Sequence, residues 1–188
     1  MAVYFTSDTH FGHEAIIRLT KRPFSSVEEM DAVLVDGWNT TVSPEDTVYH
    51  LGDFAHRNSR SAAHYRSLLN GTIHLILGNH DENLTSDDLS SFASVSRLCD
   101  VTIEGRDIVL CHYPMREWRL SYQGSWHLFG HVHGRFNRDP LGWSLDVCVE
   151  RHSYKPWAFA EIEAVFANRF NPFTDRGYVP PAVRTRAE

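Results

Sequence analysis

Residues 72–81 read Thr-Ile-His-Leu-Ile-Leu-Gly-Asn-His-Asp, an apolar run that passes directly into a polar block. The run is rich in aliphatic and β-branched residues, so we predict a buried strand over residues 72–77. Gly78 permits a sharp turn at the end of this strand. The amide, imidazole and carboxylate groups that follow are metal ligands in many proteins, so we expect a ligand site where the strand ends.

Four further blocks of the same kind occur along the chain, at the ends of apolar runs. Together the five blocks are Asp8-Thr9-His10, Gly52-Asp53, Gly78-Asn79-His80-Asp81, His112 and Gly130-His131-Val132-His133. Each has an alternative explanation when it is taken alone: Asp8 could cap a helix, Asn79 could form a turn, and His112 could be a satisfied core histidine. The conjunction of all five favours a single site.

The order of elements predicts an α/β protein. We predict strands over 2–7, 47–51 and 72–77, helices over 11–20, 25–40 and 59–69, and a loop or short helix over 85–91. Later the pattern becomes mostly β, with a hairpin formed by 95–103 and 107–111, strands over 126–129 and 143–149, and a strand or helix over 158–165.

The expected architecture is a two-sheet α/β sandwich, in which a parallel-rich sheet joins a more antiparallel one. Ligands of such folds bind at the carboxyl ends of the strands, where all five blocks fall. We expect one domain over residues 1–188, with an irregular, proline-containing tail over about 168–188.

Composition and charge narrow the function classes. The formal net charge is −6, and no run of Lys or Arg is present, which argues against general nucleic-acid binding and disfavours a nuclease. Three cysteines without C-x-x-C spacing predict reduced thiols and no thiolate metal site. Because we find no signal-peptide pattern and no long apolar run, we expect a cytoplasmic protein without membrane contact. Twelve histidines make metal ligation the first hypothesis to test.

In this order the blocks resemble the pattern D-x-H, G-D, G-N-H-[DE], H and G-H-x-H of the calcineurin-like metallophosphoesterase superfamily. The opening residues 6–13 resemble its small single-domain prokaryotic and phage branch. The resemblance implies a first metal ion held by Asp8, His10 and His133, a second ion held by Asn79, His112 and His131, and Asp53 as the bridge between them. It also implies that His80 lies beyond the ions and that Asp81 orients the His80 ring. Phe54 stands where larger relatives often have an arginine.

A site with nitrogen and oxygen ligands and no thiolate suits Mn²⁺, Fe²⁺, Co²⁺, Ni²⁺ or Zn²⁺. We expect two divalent ions, with Mn²⁺ as the leading candidate. Two ions together with Asp8 and Asp53 would form a cationic centre for a phosphate anion. They could generate a bridging hydroxide for direct attack, while His80 protonates the leaving alkoxide.

The expected reaction is therefore hydrolysis of a phosphodiester or phosphomonoester with a small or nucleotide-like substrate. A nuclease and a non-catalytic partner-binding scaffold of the same fold are the alternatives, and the scaffold is disfavoured because no ligand is missing. Residues next to the blocks are candidate substrate contacts, namely His13, His56, Arg57, Tyr113 and Arg116. The oligomeric state stays open because no helix carries a heptad seam.

Overall fold

The computed structural model describes residues 1–56, 60–136 and 141–174. The strands and α-helices of this part are β1 (Val3–Thr6), α1 (Glu14–Leu19), α2 (Val27–Thr41), β2 (Thr47–His50), α3 (Ala62–Ser67), β3 (Thr72–Ile76), α4 (Ser86–Ser90), β4 (Ser94–Ser96), β5 (Leu98–Ile103), β6 (Arg106–Cys111), β7 (Trp126–Phe129), β8 (Ser144–Asp146), β9 (Trp157–Ala158) and α5 (Phe159–Ala167). Short 3₁₀ helices cover Ser121–Gln123 and Val149–Arg151. No helix in these ranges is long and apolar enough to cross a membrane.

Two sheets form the frame, which confirms the predicted two-sheet α/β fold. The first sheet has the strand order β4-β3-β2-β1-β9, in which only β9 runs antiparallel to its neighbour. The second sheet has the order β5-β6-β7-β8. Only its β5–β6 hairpin is antiparallel, so this sheet is more parallel than the sequence led us to expect.

Several boundaries differ from the sequence prediction, and three segments illustrate this. The run 95–103, predicted as one strand, is split at Arg97: β4 pairs with β3 in the first sheet, and β5 pairs with β6 in the second. Helix α2 begins two residues later than predicted, at Val27, because Ser26 accepts the N–H of Glu29 and serves as its N-cap. The ambiguous segment after residue 156 is both a short strand and a helix, β9 followed by α5.

Two apolar cores hold the layers together. One lies between the first sheet and helices α1–α3, and the other lies between the two sheets and α5. Strand β3 serves both, since Ile73 and Leu75 point to the first core and Ile76 points to the second. Both faces of the central strands are therefore covered, and polar groups concentrate at their ends.

The tail is anchored as far as the structure describes it. The Phe173 ring packs edge-on against the rings of Trp118 and Tyr122, with centroids 5.4 and 5.0 Å apart. Asn171 is fully buried. Residues 175–188, the rest of the predicted irregular tail, lie outside the described residues.

Substitution of Leu110 tests the packing of the core between the two sheets. It is fully buried in β6, whereas Leu98 in the adjacent strand is 51% exposed. We expect Leu110→Ala to lower the free energy of unfolding by about 2–5 kcal/mol, and Leu98→Ala to change it by less than about 0.5 kcal/mol. Urea unfolding of the metal-free protein measures both; equal losses would contradict this packing.

Candidate metal centre

The five blocks meet at one edge of the molecule. Loops that follow β1, β2, β3, β6 and β7 carry them, and the parallel strands of each sheet end on the same side. Pairing continues past the strand ends, because the N–H of Asp8 donates to the Gly52 carbonyl at 2.9 Å and the N–H of His10 donates to the Asp53 carbonyl at 3.0 Å. In the second sheet the N–H of Gly130 donates to the His112 carbonyl at 3.0 Å.

Asp8, His10 and His133 form a first group of possible ligands, whose atoms all lie within 4.8 Å of one another. The Nε2 atoms of His133 and His10 lie 3.6 and 3.9 Å from Asp8 Oδ1. Asp8 and His10 are almost completely buried. We call this set the first ligand group.

Asp53, His112 and His131 form a further compact set. His112 Nε2 lies 3.5 Å from Asp53 Oδ2 and 3.1 Å from Asn79 Oδ1. We call Asn79, His112 and His131 the second ligand group. Asp53 Oδ2 also lies 3.6 Å from His10 Nε2, so this one oxygen faces both groups.

The residues fit divalent cations. His10 Nε2 is buried without a hydrogen-bond partner in the described part of the chain, and such a nitrogen is costly to leave unsatisfied. Burial raises the pKa of Asp8 well above its usual value, and burial together with the charge of Arg22 lowers the pKa of His10 well below its usual value. A cation among these donors would favour both the carboxylate and the neutral imidazole.

In three of these histidines Nδ1, the ring nitrogen away from the predicted ligand carboxylates, already has a polar partner. His112 Nδ1 bonds to the Leu51 carbonyl at 2.7 Å, and His133 Nδ1 bonds to Glu150 Oε1 at 3.0 Å. His10 Nδ1 lies 3.3 Å from His13 Nδ1. In all three residues Nε2 is left facing the carboxylates, as is typical of histidines that bind metals.

Backbone strain concentrates at this edge. Residues other than glycine rarely adopt positive φ angles, yet half of the ten described cases belong to the predicted ligands, namely Asp8, His10, Asp53, His131 and His133. Their φ angles lie between 47° and 69°. Strain of this kind is common at functional sites, where the surrounding structure holds it in place.

Glycines in three of the blocks are required by close approach. A Cβ on Gly52 would lie 2.7 Å from His112 Nδ1, and one on Gly78 would meet the Asp53 carboxylate. A Cβ on Gly130 would meet Asp8 Oδ2 and the Ser7 side chain. The loops therefore pack directly against the ligands, which explains these glycines better than a simple turn preference.

Asp81 makes hydrogen bonds other than the one expected to the His80 ring. Its carboxylate accepts the N–H groups of Asp53, Phe54 and Gly78 at 2.8, 3.0 and 2.8 Å, and it is buried. The described residues show no hydrogen bond from Asp81 to the His80 ring. Asp81 thus fixes the loop that presents Asp53, and sequence spacing alone could not reveal which way its side chain turns.

His80 lies at the exposed side of the centre. Its backbone N–H donates to Asp53 Oδ1 at 2.8 Å, and its ring contacts the His10 ring edge-on, with centroids 5.0 Å apart. The His13 and His56 rings stack nearby at 4.1 Å. Burial and His56 lower the pKa of His13 to about 4, so this imidazole is neutral near pH 7.

Of the other predicted substrate contacts, one lies beside the centre. The exposed Tyr113 ring lies 4.8 Å from the His131 ring. Arg116 is exposed, and no described contact links it to the ligands. Arg57 lies outside the described residues.

Two side chains behind the first ligand group, the buried Arg22 and the largely buried Glu150, were missed by the sequence reasoning. Glu150 bonds to His133, and Arg22 bonds to Glu150 and to the backbone at Asp8. Although burial alone would raise it, the His133 hydrogen bond and the Arg22 charge lower the pKa of Glu150 to about 2. Glu150 ends the apolar run 143–149, so the rule that found the five blocks could have found it. Arg22 follows no pattern that would single it out.

Aspartate, histidine and asparagine donors are thus clustered at the strand ends of a two-sheet α/β fold. The family comparison is specific: the calcineurin-like phosphoesterase model matches residues 1–135, and the chain belongs to that family. The family implies divalent metal ions, for which the clustered His and Asp side chains are candidate ligands. The protein is therefore a phosphoric ester hydrolase.

Relatives occur in archaea, bacteria and phages. The chain is 36% identical over 161 residues to the uncharacterized protein MJ1445 of Methanocaldococcus jannaschii, covering 82% of this chain and 85% of that protein. It is 28% identical over 159 residues to the Gene 66 protein of Mycobacterium phage L5, covering 69% and 76%. The crystal structure of the Aquifex aeolicus protein AQ665, described as being of unknown function, matches with a TM-score of 0.69 and 29% identity, covering 87% of this chain and 98% of that one.

Gly130 provides a test of the crowding at the ligands. Gly130→Ala places a methyl group against Asp8, so we expect metal affinity to fall by about 10- to 100-fold, as for other changes next to ligands. Gly105→Ala is the control, because its Cβ would meet no atom within 4 Å and its positive φ costs only about 1 kcal/mol of stability. Calorimetric titration with Mn²⁺ measures both; an unchanged affinity in Gly130→Ala would contradict the close contact.

Proposed function

We propose that the chain hydrolyses phosphodiesters or phosphomonoesters at a binuclear divalent metal centre. The observation that carries the proposal is the position of Asp53 Oδ2, 3.6 Å from His10 Nε2 and 3.5 Å from His112 Nε2. A single carboxylate oxygen between two sets of donors is suited to bridging two ions. Two-ion sites of this kind stabilise both the attacking and the leaving oxygen of an in-line displacement.

The ligands are assigned by proximity and by the family pattern. The first ligand group, Asp8, His10 and His133, would hold one ion, and the second ligand group, Asn79, His112 and His131, would hold the other. Asp53 would contact both. Nitrogen and oxygen donors without thiolate favour Mn²⁺, Fe²⁺, Co²⁺, Ni²⁺ or Zn²⁺, and Mn²⁺ is the first ion to test.

Bound ions would supply Lewis acidity toward the phosphate oxygens and a hydroxide nucleophile near neutral pH. The residues of the chain would bind and position the substrate. A cavity of about 350 Å³, lined by His56, Asn79, His80, Glu82 and Asn83, lies next to the second ligand group. Its polar lining suits a small phosphate ester, whose leaving group would lie near His80.

His80 is the proposed proton donor to the leaving oxygen. It is exposed to the cavity, while its backbone N–H is held by Asp53. His56 lines the same cavity, the His13 ring stacks on His56, and the Tyr113 ring contacts His131. These three residues are proposed to contact the ester. Arg57 and Arg116 stay as sequence predictions, because no described contact supports them.

Asp53→Asn tests the binuclear centre. Asparagine keeps the shape of the side chain but removes the charge that would bridge two cations. We expect fewer than two bound ions per chain and a loss of more than about 100-fold in kcat/KM on bis-aryl and mono-aryl phosphates, since even changes beyond the ligands cost about 10- to 100-fold. Metal analysis and Mn²⁺-dependent assays measure these effects.

Asp87→Asn, an exposed change in α4, is the matched control and should leave both values unchanged. Full turnover by Asp53→Asn would refute the two-ion mechanism. Failure of the wild-type chain to hydrolyse either ester with any of the five ions would refute the proposed activity. The ratio of the two wild-type rates also decides between diester and monoester preference.

His80→Ala tests proton donation. A general acid matters most when the leaving group is a strong base, so we expect kcat on alkyl esters to fall by about 10²–10⁴-fold. Esters of p-nitrophenol, whose anion leaves without protonation, should lose far less. His74→Ala, whose ring bonds to Ser94 in β4, is the control. Equal losses on both ester types would exclude His80 as the acid.

A further inference from the structure

Arg22 is a charged side chain that is only 4% exposed. Its guanidinium donates from Nη2 to the Asp8 carbonyl at 2.7 Å and from Nη1 to the Thr9 carbonyl at 2.9 Å. Its Nε and Nη2 atoms lie 2.9 and 2.7 Å from Glu150 Oε1. A buried charge is tolerated only when it is paired and hydrogen-bonded, and the planar arginine fork meets three oxygen acceptors here at once.

Glu150 connects this arginine to a predicted ligand. The same oxygen, Oε1, lies 3.0 Å from His133 Nδ1, and the Glu150 side chain is only 13% exposed. With its Nδ1 engaged, the His133 ring directs Nε2 toward Asp8 Oδ1, 3.6 Å away. A carboxylate behind a histidine is a common means of orienting a metal ligand.

We propose that Arg22 and Glu150 form a buried clamp that positions the first ligand group. Glu150 fixes the ring of His133, and Arg22 fixes the peptide carbonyls of Asp8 and Thr9 in a turn where Asp8 and His10 both have positive φ angles. The clamp rests on the proposed metal centre, and its two members are positioning residues that touch neither ion nor substrate.

The clamp is specific for one of the two groups. Within the described ranges, neither Arg22 nor Glu150 makes a hydrogen bond or ion pair with a side chain of Asn79, His112 or His131. The second group has its own support, since His112 Nδ1 bonds to the Leu51 carbonyl. Loss of the clamp should therefore weaken the binding of one ion and leave the binding of the other unchanged.

Titration of the metal-free protein with Mn²⁺ in a calorimeter tests this inference. Glu150→Gln keeps an acceptor oxygen near His133 but removes the charge that pairs with Arg22. We expect affinity at one of the two sites to fall by about 10- to 100-fold, with affinity at the other site unchanged. The Mn²⁺ concentration for half-maximal hydrolysis should rise accordingly, and excess Mn²⁺ should restore kcat because every proposed ligand is intact.

Glu163→Gln, an exposed change on α5, is the matched control and should bind Mn²⁺ as the wild type does. Arg22→Lys keeps the charge but loses the planar fork, so it should weaken the same site. This second variant keeps the inference testable if Glu150→Gln does not fold. Arg18→Lys, exposed on α1, is its control.

Two results would overturn the clamp. One is wild-type affinity at both sites in Glu150→Gln and Arg22→Lys. The other is equal weakening of both sites together with a lower melting temperature of the metal-free protein, which would indicate a general structural role. A wild-type chain that binds only one ion would instead contradict the binuclear centre, and the clamp would still fail if that ion were insensitive to both substitutions.

Discussion

Two carboxylates are buried at the edge where the sheets end: Asp8 is fully buried and Asp53 is 2% exposed. Asp8 accepts hydrogen bonds from Ser7 Oγ and from the backbone N–H of His131, yet burial still raises its pKa well above the usual value. Such charges are unfavourable away from water unless a cation or several donors compensate them. The need to compensate these two charges explains much of the local structure around them.

The strained turns follow from this constraint. Holding five ligand residues at positive φ costs on the order of 1 kcal/mol each, since aspartate and histidine enter this region more readily than other residues. Metal binding contributes free energy only in the folded state, about 10–16 kcal/mol for one structural zinc ion in a small domain. That magnitude exceeds the strain, so ion binding by the proposed centre would stabilise turns that the apoprotein holds at a cost.

Sequence patterns predicted the strands, the two-sheet fold and the residues that gather at the strand ends, because apolar periodicity and the rule on carboxyl ends are local signals. They did not separate β4 from β5, since residues 95–103 form one continuous run and only pairing assigns its halves to different sheets. Nor could they predict side-chain direction, so Asp81 was assigned to the His80 ring when it binds three backbone N–H groups. The role of Arg22 could not be predicted, because it depends on a partner 128 residues away in the sequence.

The hydrogen bonds of the ring nitrogens distinguish His112 from His127. Both are fully buried and lie in or after strands of the second sheet, so burial and position in the sheet do not distinguish a metal ligand from a core residue. In His127, Nδ1 bonds to the Val109 carbonyl and Nε2 accepts the N–H of Met115, which leaves no nitrogen for an ion. In His112 only Nδ1 bonds to the backbone, and Nε2 faces Asp53 and Asn79. A buried histidine with one ring nitrogen not bonded to the backbone is a candidate metal ligand. A buried histidine with both ring nitrogens bonded to the backbone is a satisfied core residue.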